Sequence, residues 1–365
     1  MKKITLLLSL LIISVSFGQI PTGYYNTATG SGYTLKTQLY NIINNQTDLG
    51  YGGLWVTYQT SDRDVFTGVG YENDNTIYDM YTENPTGSAG ECSYIYGTDQ
   101  DTGSGGSTEC DVYNREHIIP QSIFSQNAPM RHDAHFVTPT DKKVNGDRGD
   151  NPHGTVATVY STTNNGGKHG SSAIAGYTGQ VFEPIDAFKG DIARMYFYFA
   201  TRYQTQLSSW SYPMFNGTSD QVFTTPFLNM LLTWHNNDPV STFEITRNNA
   251  IYARQNNRNP FIDHPEYVCQ IYSAQCAALS IDSIVFNNSI NIYPNPSINS
   301  EVNVSTEMEL KSIFFYNING QLIQEINNPS KIENNTYRVS NLPKGFYFIK
   351  LSTDNQSVTK KVIIN

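Results

Sequence analysis

The residues able to do chemistry in this chain are gathered in one segment. It runs Arg115-Glu116-His117-Ile118-Ile119-Pro120, then Asp133-Ala134-His135, then Val144-Asn145-Gly146-Asp147-Arg148. Five of the seven histidines fall between His117 and His169, which marks the same stretch. Hydrolysing a phosphodiester needs a group that deprotonates water, a cation that absorbs charge on the phosphoryl and leaving oxygens, and often a second positive side chain. A histidine with an ordinary pKa of about 6.5 is mostly neutral at pH 7 and can accept a proton from water, so His117 is the candidate general base. Glu116 and the amide carbonyl of Asn145 are hard oxygen ligands. They suit Mg2+, with Ca2+ or Mn2+ as alternatives, because Mg2+ keeps several waters and takes further ligands from substrate phosphate. Arg131, Arg148 and Arg194 each offer a guanidinium fork for phosphate. Arg148 is placed in the catalytic set with His117, although Asp147 beside it and Asp191 near Arg194 make internal ion pairs the competing roles. His132 and His135 have no third and fourth ligand at zinc spacing, so Asp133 and His135 are expected to brace the segment by hydrogen bonds. Asp99-Gln100-Asp101 lacks the bidentate Glu of a calcium loop and reads as surface loop.

These groups need elements to hold them. Ile118-Ile119 predicts a strand that Pro120 ends, placing Glu116 and His117 at a strand terminus, where the usual opposite-facing alternation can be broken by twist or a loop. Leu35 to Ile43 and Asp186 to Tyr203 have helical spacing, with Ile192, Met195, Tyr196 and Phe199 on one face. After about Ala278 the pattern changes to seven short alternating runs, Ile290–Tyr293, Glu301–Val304, Ile313–Tyr316, Gln321–Ile323, Thr336–Val339, Phe346–Ile349 and Lys361–Ile364, separated by turns such as Asn319-Gly320. That spacing predicts a small β-sandwich. The expected organisation is a signal peptide at 1–18, an α+β unit at 19–278 and an all-β tail at 279–365.

The bulk properties set limits. Met1-Lys2-Lys3 followed by an apolar run to Val15 has the order of a secretory signal, and the run is shorter than the roughly 20 residues of a membrane-spanning helix. Export makes two disulfides the expected state of Cys92, Cys110, Cys269 and Cys276, paired in sequence order. The formal net charge of −9 runs against a polyanionic partner. An enzyme that brings its own cation needs only a local positive patch, so net charge does not exclude nucleic acid.

On the segments Arg115–Pro120 and Val144–Arg148, the chain resembles the bacterial endonuclease I family, nonspecific nucleases of the ββα-metal or His-Me finger class. The resemblance runs from about Tyr24 to Tyr272 and takes in Leu54-Trp55, Phe182-Glu183-Pro184 and Lys189–Arg194. It implies that Glu116 and Asn145 hold the metal, that His117 activates water, and that DNA, or RNA, is cut to 5′-phosphate and 3′-hydroxyl ends. The tail, through Tyr293-Pro294-Asn295-Pro296, Leu342-Pro343-Lys344-Gly345-Phe346-Tyr347 and the closing Lys360–Ile363, resembles the C-terminal sorting domain of the type IX secretion system. That likeness implies export to the medium or cell surface, with the secretion machinery as partner. An extracellular ribonuclease and a non-catalytic surface adhesin are the rival readings.

Overall fold

The computed structural model describes residues 20–66, 73–85, 92–332, 335–353 and 356–365, so the signal sequence read at 1–18 lies outside the described residues. The first unit opens with helix α1 (Gly32–Ile43), whose Leu35, Leu39 and Ile43 recur every fourth residue and form one buried stripe. Helix α2 (Gly53–Ser61) follows, burying Leu54, Thr57, Tyr58 and Ser61.

Strands β1 (Tyr113–His117) and β2 (Val137–Asp141) pair antiparallel, with Tyr113 opposite Asp141 and His117 opposite Val137. β1 therefore starts and stops earlier than the apolar pair suggested, and Ile118 and Ile119 turn into the core just beyond it. The carbonyl of Ile118 explains the stop. It accepts from Arg148 Nη2 at 2.8 Å and from the Tyr196 hydroxyl at 3.1 Å instead of from a ladder partner. β2 runs directly into helix α3 (Lys142–Arg148), where the Asp141 carboxylate accepts from the Val144 N–H at 2.8 Å and so satisfies one of the amides a helix start leaves unpaired. Gly149, at φ 55°, closes the helix in a conformation that costs glycine little.

Strands β3 (Val156–Thr162), β4 (Lys168–Ser172) and β5 (Gln180–Glu183) form an antiparallel sheet in that order. Helix α4 (Lys189–Arg202) comes next, and 13 of its 14 residues are buried, so the helix read from spacing is a core helix, enclosed on all sides. The successive aromatics Tyr196 to Phe199 each find a different neighbour: Tyr196 meets the Ile118 carbonyl, Phe197 stacks near Tyr272, Tyr198 donates to Asp133, and Phe199 lies edge-on to Phe136. α5 (Thr225–Asn237), α7 (Pro260–Asp263) and α1 pack on α4, α6 (Thr242–Gln255) lies against α2 and reaches α4 through the Arg194–Glu244 pair, and α8 (Glu266–Ile271) lies against α1. α6 starts with a capping box in which Ser241 and Glu244 satisfy each other's backbone amides.

Helix α9 (Ser273–Ser289) crosses Ala278, where the change of pattern put the boundary, and its Phe286 is buried in the core of the tail. Among the described residues the tail holds seven strands: β6 (Asn291–Tyr293), β7 (Val302–Ser305), β8 (Ser312–Asn317), β9 (Leu322–Asn327), β10 (Thr336–Val339), β11 (Gly345–Ser352) and β12 (Ser357–Ile364). They form one sheet in the order β10-β7-β6 and another in the order β12-β11-β8-β9. Alternate residues Val302 and Val304, Ile313 and Phe315, and Ile349 and Leu351 build the core, as a period of two requires. Both disulfides pair in sequence order, Cys92 with Cys110 and Cys269 with Cys276.

Candidate functional site

The site is organised by the two faces of β1. Asn114 and Glu116 point toward α3: Asn145 Nδ2 donates to Asn114 Oδ1 at 2.8 Å, and Arg148 Nη1 donates to Glu116 Oε1. Arg115 and His117 point the other way. The Arg115 guanidinium lies over Tyr51, and the His117 ring is 6.0 Å from Tyr51 and 6.3 Å from Phe124, centre to centre. Strand alternation is thus kept through His117, and the break considered from sequence does not occur. Asn145 and Arg148 are three residues apart on α3, which puts both on its β1-facing side.

Glu116 sits in a buried corner. Its Oε1 receives Arg148 and the Tyr81 hydroxyl, the latter at 2.8 Å. Tyr81 in turn lies 2.7 Å from His153 Nε2, and His153 Nδ1 is 2.9 Å from the Tyr196 hydroxyl. Tyr81 donates to Glu116, so its oxygen accepts from His153 Nε2, while burial and the nearby Arg148 charge hold the His153 pKa well below the usual histidine value. Burial raises the Glu116 carboxyl, opposed by Arg148 and the Tyr81 bond. Arg148 is fully buried, and besides Glu116 it donates to the carbonyls of Asn151 at 3.0 Å, His117 at 3.0 Å and Ile118 at 2.8 Å. The direct phosphate contact expected of Arg148 is not what this geometry offers, because its guanidinium is consumed inside the protein. Arg194 is likewise internal, paired with Asp191 and Glu244 and bonded to the Asp238 carbonyl.

His117 is nine-tenths or more buried, and its Nε2 lies 3.2 Å from the carbonyl of Arg131. A carbonyl only accepts, so the proton is on Nε2 and Nδ1 carries the free lone pair. Burial lowers its pKa to about 3, and the charges of Arg131, Arg115 and Arg148 push the same way against the Arg131 carbonyl. Arg131 is half-buried, donates from Nε to Gln121 at 3.1 Å, and stacks on Tyr51. Arg115 and Arg131 beside His117 make a local positive patch within an acidic protein.

Glu116 and Asn145 suit a hard divalent cation by their donor chemistry. Asn145 spends its Nδ2 on Asn114, which leaves Oδ1 as an oxygen donor, and Arg148 and Tyr81 both bond Glu116 through Oε1. Arg148 on Oε1 opposes cation binding, so solvent and substrate would have to supply most ligands. Among the described residues no group of three or more His, Cys, Asp and Glu side chains is placed to hold a metal. The zinc reading fails on geometry, since His132 turns to Asp48 at 2.7 Å and His135 Nε2 to the Asn257 carbonyl at 2.9 Å. Asp133 and His135 do brace the segment: Asp133 accepts from Tyr198, Tyr203 and Gln255. Asp101 is in an ion pair with Lys142. Tyr51, Tyr81 and His153 were not singled out from sequence; only the crowding of histidines pointed toward one of them.

Two family models match the chain. The model of the endonuclease I family matches residues 31–266, and that of a secretion-system C-terminal sorting domain matches 291–365. An extracellular ribonuclease of Bacillus amyloliquefaciens is 33% identical over 260 residues, covering 68% of this chain and 78% of the relative. One from Bacillus subtilis (strain 168) is 31% identical over 273 residues, covering 73% and 83%. Endonuclease-1 of Buchnera aphidicola subsp. Baizongia pistaciae (strain Bp) is 28% identical over 131 residues, 36% of this chain and 45% of that protein. No described helix is long and apolar enough to cross a membrane. The sorting tail and the extracellular relatives make this a secreted or cell-surface protein. From residue 31 to 266, with Glu116, His117, Asn145 and Arg148 inside the match, the chain belongs to the endonuclease I family of nucleases.

Proposed function

We propose that the chain is an extracellular, divalent-metal-dependent endonuclease in which β1, β2 and α3 work as a ββα-metal finger. The observation that carries this reading is the state of His117, neutral, with Nε2 committed to the Arg131 carbonyl and Nδ1 left as acceptor. His117 Nδ1 takes a proton from water as the water oxygen attacks phosphorus in line, the ester bond to the 3′-oxygen breaks, and the departing oxygen takes a proton from solvent, giving 5′-phosphate and 3′-hydroxyl ends. The Arg131 carbonyl holds the ring and favours its charged form while that proton resides there. Glu116 and Asn145 would hold Mg2+, or Ca2+ or Mn2+, which when bound supplies charge stabilisation for the phosphoryl and leaving oxygens. Arg148 positions Glu116, and Arg131, with donors to spare beside His117, is the arginine for the scissile phosphate.

DNA and RNA are both substrates in this reading. The two Bacillus relatives are named extracellular ribonucleases, which favours RNA as at least one of them. The test is digestion of plasmid DNA and of an RNA transcript with Mg2+ and with EDTA, alongside His117→Ala. Chelator-sensitive cutting that disappears in the variant, with folding and nucleic-acid binding retained, is expected. Retained turnover in His117→Ala would remove His117 as the base.

A further inference from the structure

Arg115 and Arg131 are two cations whose charges reach His117. Arg148, Arg194, Arg247 and Arg258 all make carboxylate ion pairs, whereas among the described residues Arg115 and Arg131 make none. What holds them is an aromatic ring. The guanidinium carbon of Arg115 is 3.4 Å from the centre of the Tyr51 ring and that of Arg131 is 4.1 Å from it. Two guanidinium carbons at those heights on one face would overlap, so the cations lie on opposite faces. The column continues on the far side of Arg115 to Trp55, 4.4 Å away.

We propose that Tyr51 is a positioning residue that sets Arg115 and Arg131 as a pair of phosphate clips for a nucleic acid strand crossing His117. Stacking occupies the faces of a guanidinium and leaves its N–H edges, which are the groups that bind phosphate. One edge donor on Arg115 is fixed on the Tyr51 carbonyl at 2.9 Å, and Arg131 is fixed through Nε on Gln121 at 3.1 Å, so the remaining donors have set directions. Two cation–π contacts back to back hold the charges on the order of 7 Å apart, comparable to the separation of neighbouring phosphates along one strand. Arg131, whose carbonyl also orients His117, takes the scissile phosphate, and Arg115 takes an adjacent one. An aliphatic residue in place of Tyr51 would leave two like charges facing each other with nothing between them. This inference rests on the proposed nuclease reading but concerns binding, so it can be tested apart from turnover.

The experiment uses the full chain as wild type, Tyr51→Leu, Tyr51→Phe and Arg115→Gln. Binding of a fluorescent single-stranded oligonucleotide is measured in EDTA over a salt series, and kcat and KM are measured with Mg2+. Loss of one phosphate contact lowers the slope of log affinity against log salt by about 0.7 for a single strand. Arg115→Gln is expected to lose about that much, and Tyr51→Leu between one and two such contacts. KM should rise about tenfold in Tyr51→Leu, with kcat changed less than KM. Tyr51→Phe keeps the ring and should restore the wild-type slope. A wild-type slope in Tyr51→Leu, or a fall in kcat with KM unchanged, would overturn the clip. Equal damage in Phe and Leu would do the same. Should Tyr51→Leu fail to fold, the Arg115→Gln slope and the Phe variant decide alone. Tyr51-dependent binding by a wild-type chain that cuts nothing would keep the clip and sink the hydrolase.

Discussion

Replacing Arg148 by Met separates two roles that its place in the motif had merged. The methionine keeps much of the side chain's bulk but leaves Glu116 buried with only the Tyr81 hydroxyl on Oε1, and it leaves the carbonyls of His117, Ile118 and Asn151 without the guanidinium. Breaking a buried ion pair by removing one partner costs about 3–5 kcal/mol. Glu116 would limit that cost by taking a proton, since burial already raises its carboxyl and Arg148 is the largest opposing influence. The net expectation is a loss of about 4 kcal/mol, which lowers Tm by roughly 10 °C in a unit of this size. The double variant Glu116→Gln, Arg148→Met should recover a large part of that stability, because the uncompensated carboxyl is gone, while remaining inactive. Thermal and urea unfolding followed by circular dichroism measure both. If Arg148→Met instead keeps Tm within about 2 °C and loses activity, the guanidinium works on substrate and the reading of it as an internal strut is wrong.

Two further outcomes follow from the site and its surroundings. Glu116→Ala and Asn145→Ala should each lose activity that higher Mg2+ partly restores, since each removes one oxygen donor and leaves the other; activity indifferent to metal in wild type and variants would remove both residues from that role. His135 is buried with its pKa lowered to about 4, first by burial and then by the charges of Arg247 and Arg258. Its folded value lies below its unfolded value of about 6.5, so its contribution is present above pH 6.5 and is lost as pH falls through 4, amounting to about 3 kcal/mol. Urea unfolding of wild type and His135→Phe between pH 7 and 4 should show a shallower decline in the variant, and parallel curves would count against the assignment.

How much of this could be read from sequence depended on the range of the interaction. The tail strands were legible because a period of two is local: Val302 and Val304, or Ile313 and Phe315, announce an inward face without knowledge of what covers it. The Asn145 and Arg148 pairing with β1 was half-legible, since a spacing of three on a helix puts both on one side, but not that Asn114 and Glu116 were the residues they would meet. α4 was legible as a core helix, although spacing reports only its most apolar stripe. Its tyrosines are polar at one atom, and that atom's partner, the Asp133 carboxylate for Tyr198 and the Ile118 carbonyl for Tyr196, comes from far along the chain. The same holds for the site. Glu116 is tied to Tyr81, and through it to His153, and none of these contacts leaves a periodic trace. Arg115 stood in the recognised motif without a role, because the ring that defines its role, Tyr51, belongs to a turn before α2 with no pattern of its own. Motif residues are legible where the chemistry itself demands a residue type. The groups that aim them are set by tertiary packing, so His117 was named from sequence while the carbonyl that fixes its tautomer, on Arg131, was not.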